Sequence, residues 1–167
     1  GGMANNILRY KGNNIGKSIK EENCEFTINE IFETSKGYPC NIIYPKDVLV
    51  GKSKDDTPQI RELYEIQEDD LILDIGPNTI NLIKNIIKSS ETILWNGPAG
   101  YFENPNFAKG SYEIARAIIE KNKDESIYSV VGGGDTISFL NQINAIHDFN
   151  FVSTAGGAFL EYLEGKE

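Results

Sequence analysis

The chain has 167 residues, is 40% hydrophobic and 25% charged, and carries a formal net charge of −9 at pH 7, ordinary material for one domain with a real core. That acidic balance argues against nucleic-acid or membrane partners, which usually meet a basic face, but leaves room for a nucleotide, because backbone N–H groups bind phosphate without Lys or Arg. Cys24 and Cys40 have no CxxC spacing and no apolar run approaches the roughly 18–20 residues of a membrane span, so neither a disulfide scaffold, a zinc site nor a spanning helix is expected, and a reducing compartment is the default.

In chain order, Gly1-Gly2-Met3 reads from composition alone equally as a cloning scar before an initiator Met or as native sequence. Met3 to Lys11 is expected to be a short helix ended by Gly12-Asn13-Asn14. From Glu22 to about Ser35, Cys24, Ile28, Ile31 and Phe32 fall on one face and predict a second helix. Short strands are expected at Asn41–Tyr44 and Asp47–Val50, separated by Pro45. Lys52 to Asp70 is polar and charged and reads as a surface excursion.

The second half is more regular. Leu71 to Ile75, Thr92 to Trp95, Ile127 to Val131 and Phe149 to Ser153 read as strands. Each runs into a glycine-bearing turn and then a helix: about Ile80 to Ile87, Asn106 to Lys121, Ile137 to Ile143 and Phe159 to Leu163. Strands joined by helical crossovers run parallel, which would bring all four glycine turns to the carboxyl edge of one sheet, where ligands of open α/β sheets bind. The predicted fold is a three-layer α/β/α sandwich with a mainly parallel Rossmann-like sheet, one domain over residues 1–167.

Several motifs fail on inspection. Gly12 to Ser18 imitates a Walker A loop, but the spacing needs glycine where Lys11 stands. Gly132-Gly133-Gly134-Asp135-Thr136-Ile137 is no Rossmann fingerprint, since Ile137 occupies the third glycine position. His147, the only histidine, sits beside Asp148 in a loop and reads as a solvated side chain. The Gly132–Thr136 stretch itself stays an even choice between a turn with Asp135 as helix N-cap and a phosphate cradle.

Trp95-Asn96-Gly97-Pro98-Ala99-Gly100-Tyr101-Phe102-Glu103 with Phe107-Ala108-Lys109-Gly110 resembles the WNGPxGxFE…FAxG segment of phosphoglycerate kinases. Val131 to Thr136, Leu73 to Pro77, Ser153 to Ala158 with the Leu-Glu-Gly-Lys ending, and Gly1 to Asn5 resemble further segments of that family, in its order. The last match implies that Gly1 and Gly2 are native. Ala155 departs from the family's three-glycine loop. The resemblance also implies a two-domain parent, of which this chain lacks the N-terminal domain, the start of the C-terminal domain and the final tail.

By resemblance, the reaction is reversible phosphoryl transfer between 1,3-bisphosphoglycerate and ADP, giving 3-phosphoglycerate and ATP. The same resemblance assigns Gly1, Gly2 and Gly76 to an adenine slot with Ile19 as an apolar wall, Asn96 and Gly97 to the phosphates, Phe102 to the nucleoside and Glu103 to the ribose hydroxyls. It implies Asp135 as a Mg²⁺ ligand, and Gly133, Gly134, Thr136, Gly156 and Gly157 as donors of backbone N–H groups along the phosphate path. It further implies a cytoplasmic, monomeric protein that engages 3-phosphoglycerate only through the absent domain, and that this chain alone is inactive. An enzyme domain, a nucleotide-binding module without turnover and a non-catalytic scaffold are the competing readings.

Overall fold

The computed structural model describes residues 1–124, 127–153, 157, 160–161 and 164–165. The first helix, α1, is Gly2–Tyr10, and it buries Asn5, Asn6 and Leu8. The second, α2, is Glu25–Ser35. It docks on α1 through Tyr10 stacked on Phe32, ring centroids 5.9 Å apart, and through the Tyr10 hydroxyl, which donates to Asn29 Oδ1 at 2.8 Å. Of the apolar face expected on α2 only Ile28 is buried; Cys24 and Phe32 are half-buried and Ile31 is 50% exposed. The periodicity marks a helix, but only part of its face finds a surface to cover.

Strands β1 (Asp47–Gly51), β2 (Gln59–Glu62) and β3 (Leu71–Ile75) form an antiparallel sheet in the order β2-β1-β3. Central β1 is buried along its whole length. Strands β4 (Thr92–Asn96), β5 (Tyr128–Gly132) and β6 (Phe151–Ser153) form a parallel sheet in the order β4-β5-β6. Helices α3 (Pro77–Ser89), α4 (Lys109–Asn122) and α5 (Gly134–Gln142) complete the α/β architecture.

The expected run of parallel strand–helix units therefore holds for β4, β5 and β6, but β3 pairs antiparallel with β1. A helical crossover enforces parallel strands only when both lie in one sheet; α3 leaves one sheet and enters the other. Asn41–Tyr44 forms no strand, and the polar excursion contains one, β2. The expected final helix falls mostly outside the described residues.

Long-range side chains hold α3 at both ends. Asp47, fully buried, accepts from the backbone N–H groups of Asn78 (2.9 Å) and Thr79 (2.8 Å) and from the Thr79 hydroxyl (2.7 Å), a capping arrangement supplied from another strand. At the other end Lys121 of α4 donates to the carbonyls of Ile87 (3.1 Å) and Lys88 (2.7 Å), where a cation also suits the helix dipole.

The largest core cluster belongs to the parallel half, with Trp95, Phe102, Phe139, Val131, Leu140 and Ile118 among its members. Phe139 stands edge-on to both Trp95 (6.1 Å, 70°) and Phe102 (5.6 Å, 69°), a favoured aromatic geometry. The antiparallel half rests on smaller clusters, Leu8 with Ile15, Val48, Val50 and Ile66, and Leu49 with Leu73 and Phe107.

Candidate functional site

A cleft of about 380 Å³ opens where the start of α1, the edge of β3, the loop after β4 and the start of α5 meet. Gly1, Gly2 and Ile19 line it from the α1 side, Leu71 to Leu73 from β3, Phe102 and Glu103 from the loop, and Asp135 from α5. Asn5 fixes Ile19 in place: its side-chain amide donates to the Ile19 carbonyl at 3.0 Å. Ile19 keeps 73% of its surface exposed, an apolar wall left open among the described residues.

The opposite wall is rigid. Phe102 is buried beneath Phe139, so the neighbouring Glu103 leaves the core and stays exposed beside the cleft. The Trp95 indole N–H donates to the Gly97 carbonyl at 2.8 Å, and the Gly97 N–H donates to the Thr136 hydroxyl at 2.7 Å. The loop after β4 is thus tied to the first turn of α5.

At the α5 start, Gly133 is the N-cap, with φ +86°, and a Cβ there would lie 2.7 Å from Asn96 Oδ1. Only glycine permits this left-handed backbone with the Asn96 side chain so close. Asp135 is not the N-cap expected from sequence; it lies in the first helical turn, makes no capping bond and is exposed to the cleft. A carboxylate there is favoured by the helix dipole and free for a ligand. Thr136 is fully buried, and its hydroxyl accepts from Gly97.

The cleft therefore gathers Gly1, Gly2, Ile19, Gly97, Phe102, Glu103 and Asp135. Asn96 is exposed and lies against Gly133, outside that lining and on an adjoining cavity. Gly134 at the helix start is exposed with open space around it, and so is Gly157. Gly156 lies outside the described residues. Gly76 does not belong to the cleft: its N–H donates to the Asp47 carbonyl at 2.9 Å, and its Cα packs against the Asp47 carboxylate at the head of α3. A Cβ at Gly76 would collide with that carboxylate.

Sequence reasoning missed Lys54, Tyr101 and Ser18, which also line the cleft. Lys54 Nζ sits 4.6 Å from the Tyr101 ring centroid, within cation–π range. The run Lys54-Asp55-Asp56 reads as a solvated face, and nothing local reveals that its lysine faces a cleft. Among the described residues no three metal-ligating side chains gather. Asp135, a single exposed carboxylate lining the cleft in the first turn of α5, fits Mg²⁺, which is held through one or two carboxylates, phosphate oxygens and water.

One buried charge stands near the cleft. Asp74 is 2% exposed, and burial raises its pKa to about 6, against backbone hydrogen bonds from Gly110 and Ile75 that favour the ionised form.

A family profile described as phosphoglycerate kinase matches residues 1–166. The chain is 42% identical over 169 residues to the phosphoglycerate kinase of Azorhizobium caulinodans, covering 100% of this chain and 43% of that protein. Against the phosphoglycerate kinase of Wolbachia pipientis it is 43% identical over 169 residues, with the same coverage of 100% and 43%. The structure of phosphoglycerate kinase from Coxiella burnetii superposes with a TM-score of 0.92 at 36% identity, over 99% of this chain and 43% of that one. That of the Pyrococcus horikoshii OT3 enzyme superposes with a TM-score of 0.72 at 28% identity, over 98% of this chain and 41% of that one. The chain spans well under half the length of these relatives. No helix among the described residues is long and apolar enough to cross a membrane. On the profile match and these relatives, the chain belongs to the phosphoglycerate kinase family.

Proposed function

We propose that residues 1–167 form the nucleotide-binding domain of a phosphoglycerate kinase and hold Mg-ADP or Mg-ATP in the cleft between α1 and the loop after β4. The observation that carries this reading is the convergence of Gly1, Gly2 and Ile19 with Phe102, Glu103 and Asp135 around one cavity. Glycines and an apolar wall suit a flat base, Glu103 offers acceptor oxygens to ribose hydroxyls, and Asp135 lies at the phosphate end. Bound Mg²⁺ would supply charge neutralisation at the phosphates, with Asp135 as its protein ligand.

In the complete protein the acyl-phosphate P–O bond of 1,3-bisphosphoglycerate breaks as a bond forms from phosphorus to a terminal oxygen of ADP, leaving the 3-phosphoglycerate carboxylate and ATP. Attacking and leaving oxygens are both anionic, so no general base is needed and positioning with electrostatic stabilisation does the work. The N–H groups at the Gly133–Gly134 helix start, with Gly156 and Gly157, are assigned to the developing charge on the transferring group. The phosphoglycerate partner is assigned to chain beyond this one, so this chain alone binds nucleotide as a monomer without turnover. A cytoplasmic setting belongs to the same reading.

Calorimetric titration with Mg-ADP tests it. Saturable binding is expected, with Asp135→Ala weakening the metal-dependent part and Glu103→Ala the ribose part. No heat with the unaltered chain, or equal binding by both variants, overturns the assignment. A coupled assay showing sustained turnover by this chain alone overturns the expected inactivity.

A further inference from the structure

The segment from Gly97 to Gly110 carries one wall of the cleft, and its attachment to the rest of the fold is unusual. Two of its glycines, Gly100 and Gly110, meet one buried side chain of β3. Asp74 Oδ2 accepts from the Gly110 N–H at 2.7 Å, at the start of α4. Asp74 Oδ1 accepts from the Ile75 N–H at 2.8 Å, which fixes the carboxylate plane. Gly100, three residues before Glu103, approaches so closely that a Cβ would lie 2.5 Å from Asp74 Oδ1. A Cβ at Gly110 would collide with the same oxygen. The neighbouring backbone joins in: the Tyr101 N–H donates to the Leu73 carbonyl at 2.7 Å, and the Ala99 N–H donates to the buried Ser111 hydroxyl at 2.9 Å.

Burying a carboxylate costs free energy that a hydrophobic core alone does not repay. An apolar side chain at position 74 would fill the same place without that cost, yet it could not accept the Gly110 N–H. The two glycines that close on Asp74 lie at opposite ends of the stretch bearing Phe102 and Glu103. The hydrogen bond to Asp74 holds the Gly110 end, and the close packing of Gly100 on Asp74 beside the Tyr101–Leu73 bond holds the other, which sets where those two side chains stand.

We propose that Asp74 is a positioning residue for the nucleotide site: its carboxylate clamps Gly100 and Gly110 onto β3 and so holds Phe102 and Glu103 against the cleft. This rests on the nucleotide reading of the cleft, while the clamp itself is a statement about the loop. Asp74 touches no substrate; it acts through the loop.

The test compares Asp74→Ala with Asp74→Asn in the full chain. Asparagine keeps one acceptor oxygen for the Gly110 N–H, whereas alanine keeps none. Titration with Mg-ADP is expected to show a loss of about tenfold or more for Asp74→Ala and about threefold or less for Asp74→Asn. Titration with Mg-2′,3′-dideoxy-ADP separates positioning from general weakening. The preference of the unaltered chain for the ribose hydroxyls should collapse in Asp74→Ala and persist in Asp74→Asn. Equal losses in the two variants, or an unchanged hydroxyl preference in Asp74→Ala, overturn the proposal.

Hydrogen exchange reads the clamp independently of ligand. The Gly110 and Tyr101 amides should lose protection in Asp74→Ala while Val131 and Leu140 keep theirs; unchanged protection at Gly110 refutes the clamp. If the unaltered chain binds no Mg-ADP, the nucleotide reading fails and the role in the site falls with it, while exchange still decides the clamp. Should Asp74→Ala fail to fold, Gly100→Ala attacks the same contact from the loop side and is expected to reproduce both losses.

Discussion

The parallel half of the molecule and the antiparallel half are built differently. Around β4, β5 and β6 one apolar cluster runs from Ile75 and Trp95 through Phe139 to Phe149. Around β1, β2 and β3 the apolar residues split into two small groups, and much of the order comes from buried polar contacts of Asp47, Thr79, Asp70 and Asp74. The candidate cleft lies where the two halves meet, taking Ile19 and Leu71 to Leu73 from one and Phe102, Glu103 and Asp135 from the other. The parallel half supplies the loop after β4 and the start of α5, tied together through Gly97 and Thr136, and the antiparallel half supplies an apolar wall held by hydrogen bonds.

That contrast can be broken most forcefully at Phe139. The ring is 2% exposed and packs on both Trp95 and Phe102, so Phe139→Ala should cost about 3–5 kcal/mol. Urea unfolding measures it, and a loss under about 1 kcal/mol would contradict a single tight core in this half.

Leu8→Ala, in the smaller cluster, removes a fully buried side chain and should cost about 2–4 kcal/mol. The two variants should differ in kind as well. Native-state hydrogen exchange is expected to show Leu8→Ala loosening α1 and β1 while β5 stays protected; uniform loosening of both sheets would show that the halves do not behave as separate cooperative units.

Acid–base behaviour sharpens the polar side of the comparison. Asp74 has its pKa raised to about 6 by burial, above the ordinary value of about 3.9. Between those values the folded chain holds a proton that the unfolded chain has released. Asp74 therefore adds stability at low pH that is lost as pH rises through that window, by up to about 3 kcal/mol. Half-buried Glu113 and exposed Asp69 are shifted the other way, each first by its hydrogen bond to lysine, Lys84 and Lys52 respectively, so their contribution is lost only at still lower pH. Asp74→Asn should flatten the stability profile between about pH 4 and 6; an unchanged slope there would refute this account.

The smallest effect is expected at the surface of the parallel half. Lys84 and Glu113 bridge α3 and α4 at 2.6 Å, yet the pair is partly solvated. Glu113→Gln should change stability by no more than about 1 kcal/mol and by less in high salt. A larger loss would mean that α3–α4 packing depends on this ion pair rather than on the apolar cluster.

Legibility in the sequence followed the same division. In the parallel half, apolar runs alternate with glycine turns and helical periodicity, so β4, β5, β6, α4 and α5 were readable to within a few residues. The contiguous motif from Trp95 to Glu103 carried most of one cleft wall, because a loop that departs from one strand end keeps its residues together. In the antiparallel half the signals were weaker. β2 is four residues long inside a charged stretch, and its order comes from pairing with β1 rather than from its own pattern. Gly76 illustrates the limit. Its motif context suggested a ligand contact, while Asp47, 29 positions away in sequence and bonded to it through the backbone, decides its surroundings.

By itself the sequence determined the α/β class, the family and the place of the glycine-bearing turns at the ends of β4 and β5. Those properties depend on local periodicity, glycine and contiguous motifs, which act over a few residues. Only the tertiary structure decided that β3 turns its hydrogen bonds to β1, that Asp47 caps α3, that Asp135 leaves the capping to Gly133, and that Asp74 is buried under two glycines. Each of those outcomes depends on which distant donor meets which distant acceptor when the chain closes, and no period along the sequence encodes that pairing.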